Sequence, residues 1–137
     1  MIEFHYELDF KLSKEQVIKE WVASCIDKNG FKTGEINYIF CDDDYLLKLN
    51  VEFLNHDTLT DIISFDNTLG KTIGGDVFIS IDRVKENAKT FAVLFDDELH
   101  RVLIHGILHY MGLNDKTEAD KVFMRQKENE SLLLLKH

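Results

Sequence analysis

The sequence lacks proline entirely and contains only two cysteines, Cys25 and Cys41, with no CxxC spacing. An isolated pair of this kind does not build a disulfide scaffold, and we therefore predict two reduced thiols in a cytoplasmic protein. No apolar run approaches the roughly 20 residues that a membrane-spanning helix needs. The first ten residues, MIEFHYELDF, have neither the basic nor the apolar region of a secretory signal. We predict no association with a membrane.

Basic residues are also scarce, with 16 Lys and Arg against 25 Asp and Glu and a formal net charge of −9. This balance counts against simple binding to nucleic acid, because phosphate contacts need clustered lysine and arginine. A local basic patch is still compatible with it. No nucleotide cofactor is expected either. The tripeptide at 70–72, GKT, resembles the end of a phosphate-binding loop, but that motif needs a glycine where the chain has Phe65.

The chain does contain what a globular protein needs, with 45% hydrophobic residues in 137 positions. We predict one domain over residues 1–137. Alternation of apolar and polar residues predicts strands at 2–8, 36–40, 60–65 and 76–81. Helical spacing and capping residues predict helices that begin at Ser13, within 42–44, at Asp82, at Asp96 or Asp97, and at Thr117. This order predicts an α+β fold, with a small mixed sheet of about four strands packed with about five helices.

The most informative segment is 105–115, HGILHYMGLND. Two histidines four residues apart lie on one face of a helix, so His105 and His109 can reach one metal ion. Gly112 can end the helix in a left-handed turn that brings Asp115 back toward the pair. Three protein ligands leave a fourth position for water, which is the pattern of a catalytic metal site.

Histidines at this spacing are more often surface side chains than ligands, but two features favour the metal site. Gly106 costs roughly 1 kcal/mol within a helix relative to alanine, which suggests that something requires a close approach to the backbone there. The carboxylate of Asp115 follows the turn at short range. His100 falls on a different helix face, and we predict that it is a surface residue.

This segment resembles the HGxLHxxGxxH signature of the YbeY family of metal-dependent endoribonucleases, and it matches every signature position but the last. The similarity spans roughly residues 45–130. Its upstream matches are Leu49-Asn50, Asp57, TDIISF at 60–65, Gly75-Asp76 and Ile79-Ser80. The resemblance implies the family's α+β fold, one divalent metal ion, and cleavage of single-stranded RNA in rRNA maturation and ribosome quality control. A ribosomal protein or an assembly factor is then an expected partner.

The sequence departs from the family at two positions. Asp115 stands where the family usually has a third histidine. A carboxylate is an acceptable ligand, so zinc remains the favoured metal, with manganese and iron as alternatives because oxygen is a harder donor. Leu54 stands where the family commonly has an arginine, which would be expected to hold a phosphate. His56, in the same loop, is our candidate replacement.

The helix offers no general base, since Gly106 occupies the position of the glutamate in HExxH proteases. Asp61 and Asp76 are therefore the candidate catalytic carboxylates, although Asp61 fits a strand-edge role equally well. Thr60, Ser64 and Phe65 are expected to line the substrate groove, and Phe65 could equally be core.

Two other readings remain open from the sequence. One is a metal-dependent hydrolase that acts on a peptide or another phosphoester. The other is a non-catalytic, ribosome-associated module whose metal only stabilises the fold.

Overall fold

A computed structural model describes residues 1–135. Four strands and five helices follow one another along this part of the chain: β1 (Ile2–Tyr6), α1 (Glu15–Lys28), β2 (Lys32–Cys41), α2 (Asp43–Leu54), β3 (Ile62–Asp66), β4 (Thr72–Ser80), α3 (Ile81–Phe91), α4 (Phe95–Tyr110) and α5 (Glu118–Leu133). The strands form one sheet in the order β1-β2-β4-β3. The β1–β2 and β2–β4 pairs are parallel, and β3 runs antiparallel at the edge. The predicted mixed sheet and α+β class are confirmed.

The two faces of the sheet carry different helices. One face buries Tyr38 and Val77, which are paired across β2 and β4. It lies under α4, since the Tyr38 hydroxyl donates a hydrogen bond to the Leu103 carbonyl at 2.8 Å. On the other face, a second apolar cluster involving α2 includes Leu46, Ile63, Phe65 and Phe78. Residues that alternate along β3 and β4 therefore point to different helices.

Gly106 lets α4 approach the sheet closely. A Cβ atom at this position would lie 3.1 Å from Cδ1 of Ile62 and 3.4 Å from Cγ1 of Val77. The predicted close approach at Gly106 is confirmed, and the neighbouring atoms are side chains of β3 and β4. Glycine at this position therefore leaves room for the side chains of β3 and β4 against α4, the helix that carries both histidines.

Two predicted caps are present. The Asp42 side chain accepts a hydrogen bond from the Tyr45 amide at the start of α2. Thr117 and Asp120 form a reciprocal capping box at the start of α5. Gly112 has a φ of 100° directly after α4, which is the predicted left-handed turn.

Three predicted helix starts are wrong. Lys14, not Ser13, is the N-cap of α1, and it makes no capping bond through its side chain. The Ser80 hydroxyl caps α3 instead of Asp82, because β4 passes directly into the helix and leaves no loop between them. Leu94 precedes α4, so the acidic residues expected to open that helix lie in its first turn.

Strand ends also differ from the prediction. β4 begins at Thr72 because it pairs there with Lys32 of β2. Gly74 and Gly75 therefore lie within the strand instead of the preceding turn. At the amino terminus, β1 ends at Tyr6, short of Leu8, since its pairing with β2 ends there.

The surface position predicted for His100 is wrong. His100 is only 8% exposed, and its ring lies edge-on to Trp21 of α1 with the centroids 6.0 Å apart. It does lie on a different face of α4 from His105 and His109, but Trp21 of α1 packs against it there. Helical periodicity identifies faces and does not tell which of them a neighbouring helix will bury.

Cys25 and Cys41 are both buried and free, as predicted. Burial raises the pKa of the Cys25 thiol to about 11 and that of Cys41 to about 12. Among the described residues, no helix has the length and apolar character required to span a bilayer.

Candidate metal centre

His105, His109 and Asp115 come together at the carboxyl end of α4 and in the turn that follows. The two histidine Nε2 atoms are 3.1 Å apart. Asp115 Oδ2 lies 3.3 Å from Nε2 of His109 and 3.5 Å from Nε2 of His105. The turn at Gly112 reverses the chain, and this reversal brings the aspartate back over the helix end. Three possible ligand atoms thus converge from eleven consecutive residues.

The hydrogen bonds of the two Nδ1 atoms indicate which nitrogen of each histidine ring carries the proton. The Leu113 carbonyl can only accept a hydrogen bond, so Nδ1 of His109, 2.9 Å away, carries the proton. Nδ1 of His105 lies 2.6 Å from a carboxylate oxygen of Glu128, which is also an acceptor. Each Nε2 then directs a lone pair toward the centre. A cation between the two Nε2 atoms and the carboxylate oxygen would accept all three lone pairs.

The separations of these atoms fit a divalent metal ion. Tetrahedral bonds of about 2.0–2.1 Å place ligand atoms roughly 3.3 Å apart, and the three observed distances are 3.1, 3.3 and 3.5 Å. Two imidazole nitrogens and one carboxylate are also a donor set that catalytic zinc sites use. All three side chains are partly exposed, so one side of the group is open to water or substrate.

A buried ionic network lies behind His105. Its members are Glu98 and Arg101 of α4 and Glu128 of α5. Arg101 donates hydrogen bonds to Glu98 through Nε and Nη2, and its Nη1 lies 3.4 Å from Glu128. Burial alone would raise the pKa of Glu128, but the hydrogen bond from His105 and the charge of Arg101 outweigh it and lower the pKa. The carboxylate that holds His105 is therefore ionised.

Sequence reasoning did not identify Arg101 or Glu128. Glu128 is 23 residues from His105, and nothing in the local pattern of α5 marks it as a partner. The available signal was its place among the apolar positions of α5: Glu128 follows Met124 by four residues, and both are buried. A charged residue on the buried stripe of a helix requires a partner.

Asp61 lies near enough to Arg101 and to His105 of the metal group (His105, His109 and Asp115) for their charges to act on its carboxyl. Burial raises the pKa of its carboxyl, and the nearby Arg101 and His105 oppose this rise. Its side chain accepts a long hydrogen bond, 3.5 Å, from Asn87 of α3. The Asp61 carbonyl also accepts a hydrogen bond from the Ser80 amide at 2.9 Å, so the strand-edge role considered from the sequence is present as well.

The structure does not bring Asp76 and Phe65 to this group. The two residues are paired across β3 and β4 and lie on the sheet face opposite α4. Asp76 accepts a hydrogen bond from Asn37 at 3.1 Å. Phe65 packs edge-on against Phe78, with the ring centroids 5.8 Å apart. Phe65 thus has the core role considered as its alternative, and Asp76 faces away from the histidines.

The remaining predicted groove residues lie at or before the edge strand. Ser64 is exposed and paired with Val77, which places it on the sheet face that α4 covers. Thr60 is partly exposed, and its hydroxyl lies 3.4 Å from the Ile62 carbonyl. His56 is exposed in the loop after α2, next to the end of the helix that carries Leu54.

Known proteins are similar to this chain over most of its length. The family model described as endoribonuclease YbeY matches residues 3–136. An endoribonuclease YbeY of Flavobacterium johnsoniae is 57% identical over 98% of this chain and 96% of its own length. One from Porphyromonas gingivalis is 48% identical over 89% of this chain and 81% of its own length. A solution structure of a Thermotoga maritima protein is 26% identical, with a TM-score of 0.71 over 98% of this chain and 89% of that one.

Proposed function

Since the chain belongs to the YbeY endoribonuclease family, we propose that His105, His109 and Asp115 hold the metal ion with which it cleaves RNA. The protein is a metal-dependent endoribonuclease involved in rRNA processing. One observation carries the assignment of ligands: two imidazole Nε2 atoms and one carboxylate oxygen converge within 3.5 Å of one another.

When bound, the divalent ion supplies Lewis-acid chemistry and a water molecule of lowered pKa. The protein side chains orient the reaction. Glu128 and the Leu113 carbonyl hold the Nδ1 protons of the two histidines, and this keeps both Nε2 atoms directed at one point. Asp115 contributes negative charge at the open side, where a phosphodiester can approach.

Asp61 is our candidate for the general base. Its carboxyl accepts a hydrogen bond from Asn87 and feels the charges of Arg101 and His105. Burial raises its pKa toward the range in which a carboxylate accepts protons well. An Asp61→Asn variant should keep its metal ion and lose most of its cleavage rate. Equal cleavage rates in the two proteins would exclude this role. Asp76, on the far sheet face, is not part of this proposal.

Zinc is the favoured metal because two imidazoles and one carboxylate form a common catalytic zinc site. The single oxygen donor also suits manganese and iron. Elemental analysis of the protein purified without added metal distinguishes among the three.

For the substrate we propose single-stranded RNA that passes along the edge strand, with Thr60, Ser64 and His56 along its path. The net charge of −9 favours weak binding to naked RNA. A ribosomal protein or an assembly factor would then help to dock the enzyme on its rRNA. Two free buried thiols are compatible with work in the reducing cytoplasm.

The central experiment compares wild type with His109→Ala, and His5→Ala serves as a matched histidine control on β1. We measure metal content, cleavage of a single-stranded RNA and circular dichroism in parallel. His109→Ala should lose metal and cleavage while its helix content is retained, and His5→Ala should match wild type. Full metal occupancy in His109→Ala would refute the ligand assignment.

The same measurements separate the remaining readings. Unfolding of the metal-stripped wild type would indicate a structural ion. Metal-dependent turnover of a peptide or small phosphoester, without cleavage of RNA, would indicate another substrate class.

A further inference from the structure

A cleft of about 270 Å³ opens between α4 and α5, directly beside the metal group. Its walls contain two of the proposed ligands, His105 and Asp115, and the buried Met124. The other four side chains that line it are charged: Arg101, Lys121, Arg125 and Glu128. Three of these are cationic, in a chain whose formal net charge is −9.

The cationic residues of this cleft differ in how far carboxylates of the protein already neutralise their charge. Arg101 is nearly buried and binds two carboxylates, those of Glu98 and Glu128. Its charge is therefore neutralised within the protein. Lys121 and Arg125 have side chains that are 57% and 56% exposed, so water and a ligand can reach both.

The ion pairs of Lys121 and Arg125 within the protein are weak. Lys121 Nζ lies 3.6 Å from Glu118, whose side chain is almost fully exposed, and such surface pairs contribute little. Arg125 Nε lies 3.6 Å from Glu128, a carboxylate already held by Arg101 and His105. A phosphate could replace either contact at small cost.

The spacing of the two residues suits a polyanion. Lys121 and Arg125 are four residues apart on α5, so their side chains lie one above the other on the same helix face. That face borders the metal group through His105 and Asp115. A bound divalent ion would make the cleft more positive still, which favours anions over any neutral ligand.

We propose that Lys121 and Arg125 form a phosphate-binding subsite, which holds a backbone phosphodiester of the RNA on the α5 side of the metal. This inference rests on the function proposed above. It supplies the phosphate contact that is missing at Leu54, and it does so from a different element: α5 instead of the end of α2. An RNA strand bound in this way crosses the metal group with its backbone toward α5.

The test uses a paired substitution and a matched control. Lys121→Gln with Arg125→Gln removes both charges from the cleft. Lys85→Gln with Lys89→Gln removes two charges with the same spacing from α3, where Lys89 also has an exposed partner three residues away, Glu86. Both double variants change the net charge of the chain equally.

Binding of a fluorescent single-stranded 2′-O-methyl RNA, which resists cleavage, is measured by anisotropy on the metal-loaded protein over a range of salt concentrations. Two lost phosphate contacts should weaken binding by at least roughly tenfold. They should also reduce the slope of log K against log salt by about 0.7, because the subsite holds one phosphate of a single strand. The control pair should stay close to wild type, and Arg125→Lys should retain most of the affinity because it keeps the charge.

Metal affinity, measured by competition with a chelator, should be the same in the cleft pair and in wild type. The subsite would be overturned if the two double variants bound RNA equally well, either at wild-type affinity or with the same loss of affinity. A loss of metal in the cleft pair would also overturn it, since α5 would then act only by positioning Glu128. If wild type cleaves no RNA, the proposed function itself fails, and that result is distinct because it does not depend on any variant.

Discussion

The metal group and the ionic network behind it differ in exposure and in origin. The His109 side chain is 31% exposed, whereas Glu128 is 2% exposed. The metal group comes from one helix end and one turn. The network joins α4 to α5 through Arg101 and Glu128, which are 27 residues apart. The exposed group is open to solvent, and the buried network contacts it through the bond between Glu128 and His105.

This difference predicts distinct consequences for substitutions in the two regions. A change in the metal group should act on metal binding and leave the fold in place. A change in the network should act first on stability, because an unpaired buried charge is costly wherever it lies. His105 connects the two regions through its Nδ1 atom, so Glu128 should affect both properties.

The largest expected effect on stability is that of Arg101→Met. It leaves Glu98 and Glu128 buried without their shared cation, and we expect a loss of about 3–5 kcal/mol in the free energy of unfolding. The measurement is denaturant unfolding in the presence of a chelator, which removes stabilisation by bound metal. Arg83→Met is the control, because the Arg83–Asp43 pair also joins two helices but is more exposed. A comparable loss of unfolding free energy in both variants would show that burial of the network does not account for the effect of Arg101→Met.

The next expected effect concerns Asp115. Asp115→Asn replaces a carboxylate ligand with a neutral amide, and we expect metal affinity to fall by more than roughly 100-fold. This loss is larger than is typical when a residue that only hydrogen-bonds to a metal ligand is substituted. Asp115→His should restore a site that favours zinc. Asn114→Ala, one residue earlier, should change affinity little. Competition with a chelator measures all three variants. Wild-type affinity in Asp115→Asn would mean that the third ligand lies elsewhere.

A smaller loss of metal affinity is expected for Glu128→Gln than for Asp115→Asn. The amide can still accept the proton of His105 but no longer balances Arg101, so metal affinity should fall by about 10–100-fold. Stability should fall in the same variant. Glu130→Gln is the matched control, since Glu130 lies on the same helix in an exposed pair with Lys127. If Glu128→Gln loses stability and keeps its metal affinity, the network and the metal group are independent.

The smallest effect is expected for Gly106→Ala. Alanine gains up to about 1 kcal/mol in helix propensity, but its Cβ would lie 3.1 Å from the Ile62 side chain and offset that gain. The net change in unfolding free energy should be within ~1 kcal/mol. In an Ile62→Val background the same substitution should be more favourable, which a double-mutant cycle measures. Additive effects would show that the contact does not limit the approach of α4.

The fold could be predicted from the sequence in its order of elements and in its class, because alternation and helical spacing are local signals. The residues at which the helices and strands begin were less predictable. Asp82 is a good N-cap residue, yet Ser80 caps α3, since β4 is held by its pairing with β2 up to that residue. The length of β4 depends on a partner strand some forty residues away, which no local pattern contains.

The sequence by itself determined the metal group, because a helix repeat and one glycine turn bring His105, His109 and Asp115 together at short range. Only the tertiary structure decided what surrounds them. The packing of α5 against α4 placed Glu128 behind His105 and Arg125 beside the cleft. The pleat of β4 placed Asp76 on the far face of the sheet. Contacts within one turn follow from backbone geometry, whereas contacts between elements depend on how the whole core packs.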